Sequence, residues 1–200
     1  MAQTEFWVSI GSTYSYLTVS RLSALEEKEG IVFDWRPFSV REIMLEMNNV
    51  PFAKKPVKAA YMWRDIERRA EAYGLSPSLP APYPLEEFDL ANRIAVLARQ
   101  EGWAHAYIIA TYRLWFDLGM PAGSQQNLGP ALKGIGQDPS AVIARALSNE
   151  IGRAYNEATE EARERGIFGA PSFVIDGELF WGDDRLEEAI AWAHKTRPDG

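Results

Sequence analysis

The sequence predicts an α/β fold in which a βαβ half and a ββα half share one sheet and a large all-helical insertion separates them. Three observations carry this. Strand periodicity occurs only near the two ends of the 200-residue chain. Helical periodicity fills the stretch between them. A lone two-stranded hairpin is marginal in water, so the strands of the two ends must complete a common sheet.

Residues 4–10 alternate, with Phe6, Val8 and Ile10 on one side and Glu5, Trp7 and Ser9 on the other. Aromatic and β-branched residues at a period of two read as a strand. Gly11-Ser12-Thr13 interrupts it, and a helix is expected over residues 14–29, with Leu17, Leu22 and Leu25 apolar and Gly30 as its stop. Residues 31–35 read as a second strand, ended by Pro37. Strand, helix and strand at this spacing have the size of a right-handed βαβ unit with a parallel pair. The middle reads as five or six helices, punctuated by Pro51, Pro56, Pro77, the run Pro80-Ala81-Pro82-Tyr83-Pro84, Pro121 and Pro139. One helix face is expected to carry Trp103, Ala106, Tyr107, Ala110 and Leu114, and another Ile151, Ala154, Tyr155, Ala158 and Ala162. Ser172-Phe173-Val174-Ile175 and Glu178-Leu179-Phe180-Trp181 read as strands, joined by an Asp176-Gly177 pair suited to a type I′ turn. A last helix runs from Arg185 to the neighbourhood of His194. The predicted organisation is a split sheet domain, residues 1–40 plus 167–200, and a helical insertion, residues 41–166.

With 46% hydrophobic and 12% aromatic residues the chain can bury a sizeable core. Its 21 Lys and Arg against 28 Asp and Glu give a formal charge of −7. That argues against nucleic acid or an anionic membrane as the main partner, since both need clustered positive charge. There is no cysteine, which excludes disulfides, thiolate metal sites and a cysteine nucleophile; any redox sulfur must come from a ligand. His105 and His194 are isolated, so no structural metal is expected. No basic segment precedes a long apolar run, and nothing approaches about 18 uncharged apolar residues. The expectation is a cytoplasmic protein. No Gly-x-Ser-x-Gly elbow occurs and neither histidine has an evident triad partner, which argues against a serine hydrolase.

Three motifs carry chemistry. Ser12-Thr13-Tyr14-Ser15 falls where the first strand hands over to its helix. Unpaired N–H groups and the helix dipole favour an anion there, and dithiol oxidoreductases place Cys-x-x-Cys at this point. Here the spacing persists with serines; the plainer alternative is an N-cap. Ala170-Pro171 precedes an apolar strand, where a cis bond would turn the Ala170 backbone outward and a trans bond would make an ordinary turn. Trp181-Gly182-Asp183-Asp184-Arg185 offers carboxylates at a helix start, either as caps or to a ligand's ammonium group.

Together these motifs, with Phe168-Gly169-Ala170-Pro171-Ser172-Phe173 and the helical insertion, resemble the 2-hydroxychromene-2-carboxylate isomerase family of the thioredoxin-like superfamily, a relative of kappa-class glutathione transferases. The resemblance covers nearly the whole chain. It implies a thioredoxin-like fold, glutathione as cofactor, a small aromatic carboxylate substrate and a homodimer. It implies that Ser12 hydrogen-bonds the glutathione sulfur and that the Ala170 backbone, ahead of cis-Pro171, pairs with the cysteinyl part. It also implies that Asp184, with Asp183, meets the γ-glutamyl end, and that Asn49 lies near substrate. Relatives commonly have proline at the position of Thr13, and asparagine or serine at that of Asp183. They also place a substrate-facing lysine just before the asparagine, where this chain reads Ile43-Met44-Leu45-Glu46; Lys54 or Lys55 is the available substitute, each also read as a solvated loop lysine. Tyr61, Trp63, Trp103, Trp115 and Phe116 are candidates for a flat substrate slot, with core packing as the plainer reading, and Arg64 and Arg68 read as a salt-bridged face. The implied activity is glutathione-dependent cis–trans isomerisation of an aromatic α-keto acid. The rivals are kappa-like transfer or peroxide reduction, and a non-catalytic module that pairs peptides along the edge near Pro171.

Overall fold

A computed structural model describes residues 3–49, 52 and 55–196. Four strands, β1 (Thr4–Val8), β2 (Asp34–Pro37), β3 (Ser172–Ile175) and β4 (Glu178–Trp181), form one sheet in the order β2-β1-β3-β4. β1 runs parallel to β2 and antiparallel to β3, which pairs antiparallel with β4. The two ends of the chain thus complete one sheet, as the sequence requires. Asp176 and Gly177 both have positive φ (49° and 88°), the signature of the expected type I′ turn.

Both faces of β1 are covered, so its alternation does not separate core from solvent. On one face Phe6 meets Trp35 edge-on at 4.9 Å and stacks with Phe173 at 5.4 Å. On the other Trp7 lies near Phe38, and Glu5 is buried because every neighbour satisfies it. Gln3 and the Trp7 indole donate to it at 2.8 Å, and Arg36 and Arg165 pair with it at 2.9 and 3.1 Å. A carboxylate enclosed by four donors is tolerated where an isolated one is not.

Four local expectations are corrected. The single helix over residues 14–29 is two: α1 (Ser15–Val19) and α2 (Leu22–Glu29), the latter ending at left-handed Gly30 as foreseen. The break lets Arg21 turn toward Asp183 at 3.2 Å. β2 begins at Asp34; Ile31 and Phe33 are buried ahead of it and Val32 is exposed. Between β2 and β3 the described residues form seven helices, not five or six: α3 (Val40–Glu46), α4 (Pro56–Ala72), α5 (Phe88–Gln100), α6 (Ala104–Leu118), α7 (Gln125–Gly134), α8 (Pro139–Ala146) and α9 (Asn149–Glu164). The buried face of α6 holds Tyr107, Ile108, Thr111, Tyr112, Trp115 and Phe116, leaving Ala106 exposed, so the stripe is rotated from the one expected. A short 3-10 turn (Asp183–Arg185) leads into α10 (Leu186–Thr196). No helix of the described residues is long and apolar enough to cross a membrane.

The inserted helices grip the end of β1. Fully buried Asn92 on α5 accepts from the Ile10 N–H at 2.8 Å and donates to the Ile10 and Phe88 carbonyls at 2.8 and 2.9 Å. It behaves as one more rung of sheet. Tyr112 on α6 donates to the carbonyls of Ser9 and Ser12, each at 3.0 Å. Between them Gly11 (φ 124°) passes so close to Phe88 that a β-carbon would lie 2.5 Å from its ring, which restricts the position to glycine. Replacing Asn92 by alanine leaves the Ile10 groups unpaired in the core, and should lower unfolding stability by about 2–4 kcal/mol in urea denaturation.

Candidate active site

Ser12 lies on the turn between β1 and α1, half-buried, with its N–H donating to the Ser9 carbonyl at 3.0 Å. Its hydroxyl donates to the Ala170 carbonyl at 2.6 Å. The Ala170–Pro171 bond is cis, and the Pro171 carbonyl accepts from Gly182 N–H at 2.9 Å. The fold therefore brings together Ser12, Ala170, Pro171 and the Gly182–Asp184 stretch, all singled out in the sequence.

Ser12 is not the helix cap. That position is Tyr14, which makes no capping side-chain bond. The first turn of α1, the positive end of its dipole, lies beside the Ser12 hydroxyl. Thr13 turns inward and donates to the Met62 sulfur at 2.9 Å. Thr13 thus supports the turn from beneath and does not face its open side. Tyr14 donates to Asp65 at 3.0 Å; burial and that carboxylate raise its phenol above the usual range.

The two neighbouring aspartates part company. Asp183 has no exposed side-chain surface: it accepts from Thr18 at 2.9 Å and Tyr73 at 3.4 Å, and pairs with Arg21 at 3.2 Å and Arg69 at 2.6 Å. Burial pushes its carboxyl up, against the pull of Arg21 and Arg69. Asp183, read in the sequence as meeting a ligand together with Asp184, is enclosed, with its carboxylate on Arg21 and Arg69. Asp184 is exposed and pairs with Arg185 at 3.2 Å, so of the two it is the aspartate open to a ligand. Arg21 also joins Glu187; burial pushes that carboxyl up, but Arg21 outweighs it and leaves it lower than usual.

The remaining candidates scatter. Asn49 is exposed beyond α3, its N–H on the Met44 carbonyl at 2.8 Å. Lys54 lies outside the described residues, and Lys55 is exposed just before α4. Trp115 and Phe116 are core, the Trp115 indole donating to the Pro82 carbonyl at 2.7 Å. Trp103 is half-buried at the start of α6 and donates to Glu101. Trp63 is half-buried between Tyr83 and Phe116, and Tyr61 is 63% exposed. Arg64 and Arg68 pair with Glu67 and Asp65 on a solvated face. A surface cleft of about 530 Å³ between α5 and α9 shares no residue with Ser12 and its neighbours. Sequence reasoning passed over Arg21, Arg69, Asn92 and Tyr112, because contacts spanning 82 to 162 residues leave no local trace.

A β1–α1 turn facing a cis-proline across a mixed sheet defines a thioredoxin-fold protein, here with serine in place of the redox cysteine. The chain belongs to the DSBA-like thioredoxin domain family, whose model matches residues 3–190. More particularly, it is similar to a 2-hydroxychromene-2-carboxylate isomerase of Sphingobium xenophagum, 29% identical over 185 residues, which make up 92% of this chain and 93% of that one. A solved structure of a 2-hydroxychromene-2-carboxylate isomerase superimposes with a TM-score of 0.85 at 26% identity, covering 96% of this chain and 94% of the other. A kappa glutathione S-transferase of Caenorhabditis elegans is 23% identical over 93% of this chain and 88% of its own.

Asp183→Ala should cost about 3–5 kcal/mol, because it leaves the Arg69 charge half-buried without its carboxylate. Asp184→Ala, next door but exposed, should leave the urea midpoint almost unchanged.

Proposed function

We propose that the chain is a glutathione-dependent isomerase acting on a conjugated, aromatic α-keto acid of the hydroxychromene carboxylate type. The observation that carries this reading is the Ser12 hydroxyl set 2.6 Å from the carbonyl of Ala170, ahead of cis-Pro171, in a chain with no sulfur nucleophile of its own. The names of its relatives support isomerase chemistry over nearly the full length.

The residues present fit glutathione. Ser12 and the Ala170 backbone face one another at a half-buried turn, and exposed Asp184 stands beside them through the Gly182–Pro171 bond. When bound, glutathione supplies the sulfur nucleophile of a reversible addition that lets a substrate double bond rotate. The protein's part is a hydrogen-bond exchange. The Ser12 hydroxyl has one proton, at present given to the Ala170 carbonyl. The Ala170 carbonyl keeps a second lone pair for an N–H of an extended ligand, and rotation of the Ser12 hydroxyl would turn its proton to that ligand's sulfur. A hydroxyl proton directed at sulfur would favour its anionic form.

A second reading, transfer of glutathione to an electrophile, is favoured by the match to the kappa transferase. The two separate on stoichiometry: isomerisation leaves total thiol constant through many turnovers, and transfer depletes it.

For the Ser12 role, the thiolate absorbance of bound glutathione should titrate at least one pH unit below the free thiol, whose pKa is about 8.5. Ser12→Ala should move the curve back toward that value. Superimposable curves for the two proteins would remove Ser12 from the mechanism.

A further inference from the structure

We propose that Arg69 is a ligand-reading residue, whose guanidinium takes the free α-carboxylate of a γ-glutamyl group while Asp184 takes the α-ammonium on the same carbon. This rests on the glutathione reading above, and it adds a recognition group from the helical insertion that no motif of the chain marks.

Arg69 comes from α4, yet it stands at the site. Its guanidinium carbon is 5.9 Å from the ring centre of Tyr14, two residues beyond Ser12. Its Nη2 donates to Asp183 at 2.6 Å, and Asp183 is adjacent to Asp184 in the stretch tied to Pro171 by Gly182. The guanidinium thus lies between Tyr14, on the Ser12 turn, and Asp183, next in sequence to Asp184.

Asp183 holds Arg69 through a single N–H contact, although the group has five N–H donors in a planar fork. Its side chain keeps 21% of its surface exposed, whereas Asp183 keeps none. The group is therefore held by a buried carboxylate and by Tyr73, and it stays partly exposed with N–H donors beyond those two contacts. Burial works against its charge, but Tyr73, Asp183 and Asp184 outweigh that and keep it protonated. Clamping a guanidinium in this way lowers the entropy lost when it binds a second carboxylate.

The arrangement has a selective consequence. An exposed aspartate alone accepts any ammonium group. A fixed guanidinium beside it accepts only an end that carries carboxylate and ammonium on one carbon. A γ-linked glutamate has such an end, and an N-terminal residue in ordinary peptide linkage does not. The pair therefore distinguishes glutathione from cysteinyl peptides, independently of the sulfur contact at Ser12.

The test is calorimetric titration of the native chain, Arg69→Gln and Arg69→Lys with three ligands. These are glutathione, 4-aminobutyryl-cysteinyl-glycine (no α-carboxylate) and glutaryl-cysteinyl-glycine (no α-ammonium). Loss of a charge-assisted contact predicts that the native chain binds the first analogue about tenfold or more weaker than glutathione. In Arg69→Gln that discrimination should vanish while discrimination against the glutaryl analogue persists; Asp184→Asn should show the reverse pattern. Arg69→Lys retains a cation for Asp183 and the fold, and should show reduced discrimination. Equal weakening of all ligands in both Arg69 variants, or a native chain indifferent to the α-carboxylate, overturns the proposal. A native chain that binds glutathione no better than buffer overturns the functional reading itself, and Arg69's role with it.

Discussion

The site depends on how the open end of β1 is held. Past Val8 the strand has left its ladder, and Ile10 would carry an unpaired N–H and carbonyl into the core. Asn92 supplies both partners from a helix some eighty residues away in sequence. Buried backbone groups must be paired, so this one amide joins the insertion to the sheet and fixes the path of Gly11 and Ser12. Tyr112 repeats the device two residues on, with one hydroxyl shared by two carbonyls. The helical insertion is therefore a clamp on the turn that bears the chemistry. It is not a cap laid over a finished domain: its buried side chains run without interruption into those of the sheet.

A second constraint is electrostatic. Asp183, Arg21, Arg69 and Glu187 bring together the α1–α2 break, α4, the 3-10 turn and α10. Buried ion clusters contribute little net stability, since desolvation offsets the attraction, but they permit few geometries. Here that restriction lands on Gly182–Asp184 and on the break between α1 and α2. On the far face of β1, Glu5 with Arg36 and Arg165 plays a comparable part between the sheet and α9. Only the first cluster borders the Ser12 turn.

Much of the fold was legible because its signals are local. The hairpin at Asp176-Gly177 and the stop at Gly30 are each set by a few adjacent residues. The meeting of Ser12 with Ala170 was legible in another way, through a spacing and a proline that together resemble a known arrangement. What escaped were features decided at a distance. Nothing in residues 14–29 announces a break at Arg21, whose partner is a carboxylate 162 positions later. Asp183 and Asp184 are the same residue type in the same turn, and only the arrival of Arg69 and Arg21 settles which is enclosed. The rotated stripe of α6 has a similar origin: Trp115, Phe116 and Tyr112 turn toward β1 and the proline-rich loop, carrying Ala106 outward.

The sheet order also bears on how the chain is made. β1 emerges from the ribosome ahead of β2 and finds it soon after, yet its other edge belongs to β3, synthesised after the helices that follow β2. Until then the aromatic face of Phe6 and Trp35 lacks Phe173, and an unsatisfied strand edge waits through the translation of seven helices. Pairings between distant segments form slowly, and open edges invite association with other chains. In vectorial synthesis the helices have to screen a half-built sheet, so a lesion that weakens them exposes nascent chains to aggregation before it disturbs the finished protein.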